Sequence, residues 1–194
     1  MENYHDLKTE RKSCCFIGHR DVEDTEELRT AILQCVTHLI VNENVRNFHF
    51  GSRSAFDTIC HSIVSNLQKK YRQPPTCIEL KRIFYACKSE GLVTPEEKPK
   101  IDALLSGYYR KNISVLAHEA RVQVYPSWKA GKASYIVRNQ YMVDQSDFVV
   151  FYYDKNRTPP VSKNGKTNSG TCLVYDYAKK KKDEKQIINL CSIT

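Results

Sequence analysis

The sequence predicts an α/β fold, a three-layer α/β/α sandwich built on a mostly parallel sheet. Three observations lead there. Phe148-Val149-Val150-Phe151-Tyr152-Tyr153 is a compact aromatic and β-branched run bracketed by Asp147 and Asp154. Unbroken apolarity of that length suits a strand buried on both faces of a parallel sheet. Other short apolar runs alternate with amphipathic helical patterns, the order of strand–helix–strand units. Finally, two of these runs end in a glycine just ahead of a helix, where open α/β sheets bind ligands.

After a polar leader, Cys14-Cys15-Phe16-Ile17 reads as the first strand, ending at Gly18-His19-Arg20. Asp24 and Thr25 are candidate N-caps for a helix with the stripe Leu28, Ile32, Cys35, Val36 and Leu39. Asn47-Phe48-His49-Phe50 is the second strand and runs into Gly51-Ser52-Arg53-Ser54-Ala55-Phe56-Asp57. The helix that follows packs Phe56, Ile59, Cys60, Ile63, Val64 and Leu67. Asp57 falls in its first turn, where the helix dipole favours a carboxylate. A dipole role and a direct ligand contact stand as equal alternatives for it.

Pro74 and Pro75 end that helical region, and the third strand is either Thr76–Leu80 or Arg82–Cys87. Residues 88–120 are mixed in character, with a helix starting at Thr94, and read as an insertion that shields one side of a cleft. Arg121–Pro126 is the fourth strand candidate. A helix over Ser134–Gln145 places Arg138, Asn139 and Met142 on one face. Beyond the Phe148–Tyr153 run, a loop rich in Lys, Asn and Pro leads to Ser169-Gly170-Thr171. A last helix carries Thr171, Val174, Tyr175 and Ala178 at helical spacing, and Gln186–Leu190 closes the sheet.

A length of 194 residues suits one domain over 1–194, and 41% apolar with 27% charged residues is ordinary for a globular protein. No apolar run approaches a membrane span, and the N-terminus is too polar for a signal peptide. The eight cysteines are scattered, with no CxxC pair and no Cys/His cluster at zinc spacing. They read as reduced thiols of a cytoplasmic protein, and neither metal nor cofactor is expected. A homo-oligomer is compatible with the chain.

The net charge of +8 raises nucleic acid as a partner. Much of the excess, however, sits in Lys179–Lys182 and in the loop lysines Lys155, Lys163 and Lys166. Lysines at a helix C-terminus complement its dipole. Tyr152, Tyr153, Tyr175 and Tyr177 fall in predicted core elements, away from an exposed stacking strip. Nucleic acid is therefore not expected, and a small phosphorylated ligand is. Open helix amides bind anions, so Ser169-Gly170-Thr171 is the candidate phosphate turn, with Ser169 as a plain helix cap the alternative. Arg20, Arg53 and Arg138 supply guanidinium forks that suit phosphate oxygens.

CCFIGHR, FGSRSAFD, RNQYMVDQSDFVVFYY and SGTCLVYDYA, in this order, resemble the SLOG superfamily, particularly its YpsA-like branch. That superfamily joins DprA-type DNA-processing proteins to LOG-type phosphoribohydrolases. The resemblance implies a Rossmann-like sheet whose C-terminal edge holds a nucleotide or an ADP-ribose-like ligand. It carries over Gly18, His19 and Arg20; Gly51, Ser52 and Arg53 with Ala55 and Asp57; Arg138 and Asn139; and Ser169, Gly170 and Thr171. LOG-type hydrolases have a PGGxGTxxE sequence with a catalytic glutamate, and Val174 stands at that position here. Valine transfers no proton. Binding or sensing is thus the leading expectation. A nucleotide N-glycosidic-bond hydrolase or transferase, with Asp57, Asp144 or His19 as its acid, is the alternative. A DprA-like DNA-binding protein is the third reading.

Overall fold

The computed structural model of the chain describes residues 10–51, 54–88, 121–126, 132–157 and 169–192. The elements run β1 (Lys12–Gly18), α1 (Glu26–Val41), β2 (Val45–Phe50), α2 (Ala55–Arg72), β3 (Lys81–Lys88) and β4 (Arg121–Pro126). They continue with α3 (Lys132–Asp144), β5 (Phe148–Tyr152), α4 (Gly170–Lys179) and β6 (Gln186–Asn189), then a 3-10 turn over Leu190–Ser192. Among the described residues, six strands lie in the order β4-β3-β2-β1-β5-β6. Every neighbouring pair is parallel. The α/β prediction holds.

Period-two alternation explains why the strands read as unbroken apolar runs. In β1, Cys14 and Phe16 point to one face, where Phe48, Phe50, Phe148 and Val150 join them under α1 and α2. Cys15 and Ile17 point to the other, against Val149, Phe151 and the α3 and α4 residues Met142, Val143, Val174 and Ala178. Phe16 stacks on Phe48 and Phe50 at centroid distances of 6.1 and 5.2 Å. Both apolar faces of the sheet are thus covered by helices.

Helix starts follow the hydroxyl side chains. The Thr25 hydroxyl accepts from the Leu28 amide at 3.2 Å, Ser54 from Asp57 at 2.9 Å and Ser169 from Cys172 at 3.1 Å. Each such cap is worth about 1 kcal/mol to its helix. Of the two third-strand alternatives, Arg82–Cys87 is the strand. The Thr76–Leu80 stretch instead closes α2, because the Cys77 and Ile78 amides donate to the carbonyls of Gln73 and Tyr71. The helix expected from Thr94 lies outside the described residues. No helix among the described residues is long and apolar enough to cross a membrane.

Strand order decides where a ligand can sit. The chain moves outward from β1 through β2 and β3 to β4, then returns to the far side of β1 with β5 and β6. Connections therefore diverge between β1 and β5, and the crevice at their C-terminal ends is the usual ligand position in such sheets.

Candidate functional site

At that crevice Gly18 ends β1 opposite Tyr152 of β5. A Cβ at Gly18 would stand 2.5 Å from the Cβ, Cγ and Cδ1 of Phe56. The first turn of α2 therefore packs directly on the strand end, which only glycine permits. The Thr171 hydroxyl donates to the Gly18 carbonyl at 3.1 Å, tying the start of α4 to the same turn. The Ala55 amide donates to the Arg20 carbonyl at 2.8 Å and brings in the end of the β2 connection. Three strand-to-helix turns, far apart in sequence, are joined at one edge of the sheet.

A second knot lies over β2. A Cβ at Gly51 would fall 2.6 Å from Arg138 Nη2 and 3.1 Å from Asp57 Oδ2. The missing side chain is what lets the guanidinium and the carboxylate lie on the strand end. Arg138 starts mid-helix, but helical side chains lean toward the helix N-terminus, here the C-terminal edge of the sheet. It is 4% exposed, and its Nε and Nη2 donate to Asn139 Oδ1 at 3.1 and 2.8 Å. Asp57 is 9% exposed, and its Oδ1 is buried without a hydrogen-bond partner. Burial pushes its carboxyl up to about 6, opposed by the charge of Arg138, the Ser54 hydroxyl and the Gly51 backbone. Such a group holds or releases a proton close to neutrality.

Other candidates sit differently. His19 is 6% exposed, and its Nε2 accepts from the Asp154 amide at 3.0 Å. An imidazole nitrogen used as an acceptor has no proton to give. Burial, with Arg157 nearby, lowers its pKa and keeps the ring neutral. His19 thus closes the turn between β1 and β5. Asp144 lies at the opposite edge of the sheet, because α3 runs antiparallel to the strands and ends just before β5. Its carboxylate accepts from the Tyr177 hydroxyl at 2.9 Å and from the Lys181 ammonium. It does not meet the Gly18 and Gly51 turns.

Val174 is fully buried in the core between the sheet and α4. Gly170 is exposed, and a Cβ there would meet only Ile136 Cγ1 at an ordinary 3.7 Å. The fold itself does not require glycine at that position. Arg20 is exposed beside its turn, while Ser52 and Arg53 lie outside the described residues.

At this rim the sequence did not mark Arg157, and it placed Tyr153 in a core element. Arg157 donates to the Asp21 carbonyl and so holds the segment after β5 on the β1 turn. The Tyr153 hydroxyl donates to Cys172 Sγ at 3.3 Å, and that thiol donates to Asp176 Oδ2 at 3.8 Å. Tyr153 is the last residue of the apolar run, which was a usable signal. Arg157 sits in a loop with no periodicity to mark it.

No family model matches the chain, and no curated protein matches it in sequence. Among solved structures it is similar to DNA processing protein A from Helicobacter pylori, described for its single-stranded DNA binding mode. The TM-score is 0.50 at 16% identity, covering 91% of this chain and 63% of that one. The two share a fold. The chain spans just under two thirds of the neighbour's length. That neighbour binds single-stranded DNA, which overturns the expectation that nucleic acid is not a partner. The reason given for that expectation also fails in part. Tyr152, Tyr153, Tyr175 and Tyr177 are each only partly buried, so their rings are not sealed inside the core.

Proposed function

We propose that the chain binds a phosphorylated nucleotide or an ADP-ribose-like derivative at the C-terminal edge of its sheet, over Gly18 and Gly51. In this reading it is a cytoplasmic SLOG-type protein of the YpsA-like branch, one domain over 1–194 with an insertion at 88–120. The observation that supports it most is the joining of the three turns, through Thr171 to Gly18 and Ala55 to Arg20, beside the buried Arg138. The open amides at Gly170 and the exposed Arg20 offer a phosphate its partners. A thermal-shift panel of nucleoside mono- and diphosphates, ADP-ribose and single-stranded DNA tests it. Ligand at a hundredfold excess over Kd adds about 2.7 kcal/mol of stability. No shift with any small member removes the proposal. A shift with DNA alone, fading steeply with salt, replaces it by a DNA-binding function.

A second reading, cleavage at the N-glycosidic bond of a nucleotide, is favoured by one observation. Asp57 is a buried carboxyl with a pKa pushed up to about 6, and it stands beside Arg138. His19 and Asp144 are committed elsewhere, so Asp57 is the acid this reading needs. Chromatography for released base from nucleoside monophosphates decides. Release by the wild type that vanishes in Asp57→Asn would place the enzyme reading first.

A further inference from the structure

We infer that Asp57 recognises a sugar hydroxyl of the ligand, so that the site selects ribosyl over deoxygenated phosphates. This deepens the proposed function and rests on it. An ionised carboxylate only accepts hydrogen bonds. In Asp57, Oδ2 lies against Gly51, while Oδ1 is buried and has no partner. The Ser54 hydroxyl, which also accepts from the Asp57 amide, and the Gly51 backbone hydrogen-bond the carboxyl, yet Oδ1 keeps no partner. An acceptor in this position calls for a donor from outside, and the χ2 torsion of Asp is soft enough to turn either oxygen outward.

Charge argues what the donor is. A phosphate placed at Asp57 would meet a like charge, and the Arg138 guanidinium beside it already serves Asp57 and the Asn139 carbonyl. The anion therefore belongs on the other half of the site, at Arg20 and the start of α4. The two halves adjoin, because the Ala55–Arg20 hydrogen bond ties the β1 turn to the start of α2. The group one short step from a nucleotide's phosphate is its sugar. Sugar hydroxyls donate, carry no charge and can be removed chemically one by one.

The test uses the full chain with AMP and 2′,3′-dideoxy-AMP in isothermal titration. AMP should bind at least about tenfold more tightly, since a site built around a hydroxyl rejects the analogue that lacks it. In Asp57→Ala, shown folded by circular dichroism, that preference should collapse while binding of the dideoxy compound persists. If the variant does not fold, the wild-type ligand pair still decides. Equal affinity of the wild type for both compounds overturns the inference and leaves the proposed function standing. Binding of neither compound, nor of any panel member, removes both. A folded Asp57→Ala that keeps the full preference also overturns the inference.

Discussion

Two glycines at strand ends, Gly18 and Gly51, do different work, and an alanine at each separates folding from binding. At Gly18 the added methyl would overlap three carbons of Phe56, a side chain with no exposed surface and a β-carbon fixed to the α2 backbone. Overpacking of that kind costs about 1–3 kcal/mol. Gly18→Ala should lower the urea midpoint accordingly. At Gly51 the overlapping atoms are the tip of Arg138, a long side chain able to swing aside. Gly51→Ala should therefore cost less stability than Gly18→Ala while displacing the guanidinium and weakening the proposed nucleotide binding. Equal losses of stability in the two variants would contradict this division. His19 shows how far residue-level chemistry misleads when partners are unknown. Its Nε2 is spent on the Asp154 amide, so a histidine beside a strand end became a fastener instead of an acid.

Among the elements, α4 ties its cap to the site most directly. Its first turn holds the Ser169 cap, the exposed Gly170 and the Thr171 hydroxyl bonded to Gly18. Thr171→Val keeps the shape and removes the hydrogen bond, with an expected cost of about 0.5–1.5 kcal/mol. Hydrogen exchange should quicken in the first turn of α4 and in the Gly18–Arg20 turn together. Faster exchange confined to α4 would mean the two are not coupled. Gly170→Ala is expected to leave stability unchanged or raise it by up to about 1 kcal/mol, because alanine is the better helix former and its Cβ has room. A large loss measured by denaturation would show that the glycine is needed by the fold.

For the molecule as a whole, acid stability is set by buried groups pulling in opposite directions. Burial lowers His49 to about 4, and burial followed by the charge of Arg82 lowers His61 to about 4; His19 is also lowered by burial. These histidines are neutral when folded and bind protons more readily when unfolded. Their contribution is complete above an ordinary histidine pKa near 6.5 and is lost as pH falls toward 4. Asp57 has the opposite sign. Its folded pKa, about 6, lies above the ordinary 3.8, so its contribution is present below 3.8 and lost as pH rises through 6. Between 6.5 and 4 several histidines outweigh one carboxyl, and acidification should destabilise the fold. Asp57→Asn removes the opposing contribution and should make the acid loss steeper. Urea midpoints at several pH values between 4.5 and 7 check both statements; a flat profile in the wild type would refute the first.

Much of this was legible in the chain, because periodicity and turn chemistry are local. Unbroken apolar runs marked the strands, the helical stripes Leu28 to Leu39 and Phe56 to Leu67 named core residues that are buried or nearly so, and Gly18 and Gly51 marked the strand ends at the candidate site. Asp57 could be seen at a helix start, but its burial and its unpartnered oxygen could not. The third strand stayed ambiguous because both stretches are apolar, and only hydrogen bonding back to α2 assigned one of them to a cap. Asp144 reads as near Arg138 in sequence yet lies at the far edge, since one helix carries its two ends to opposite sides of the sheet. Composition and period determine which segments become strands and helices. Which of them meet, such as Thr171 with Gly18 or Arg138 with Gly51, follows from strand order, a property of the packed sheet that no local pattern encodes.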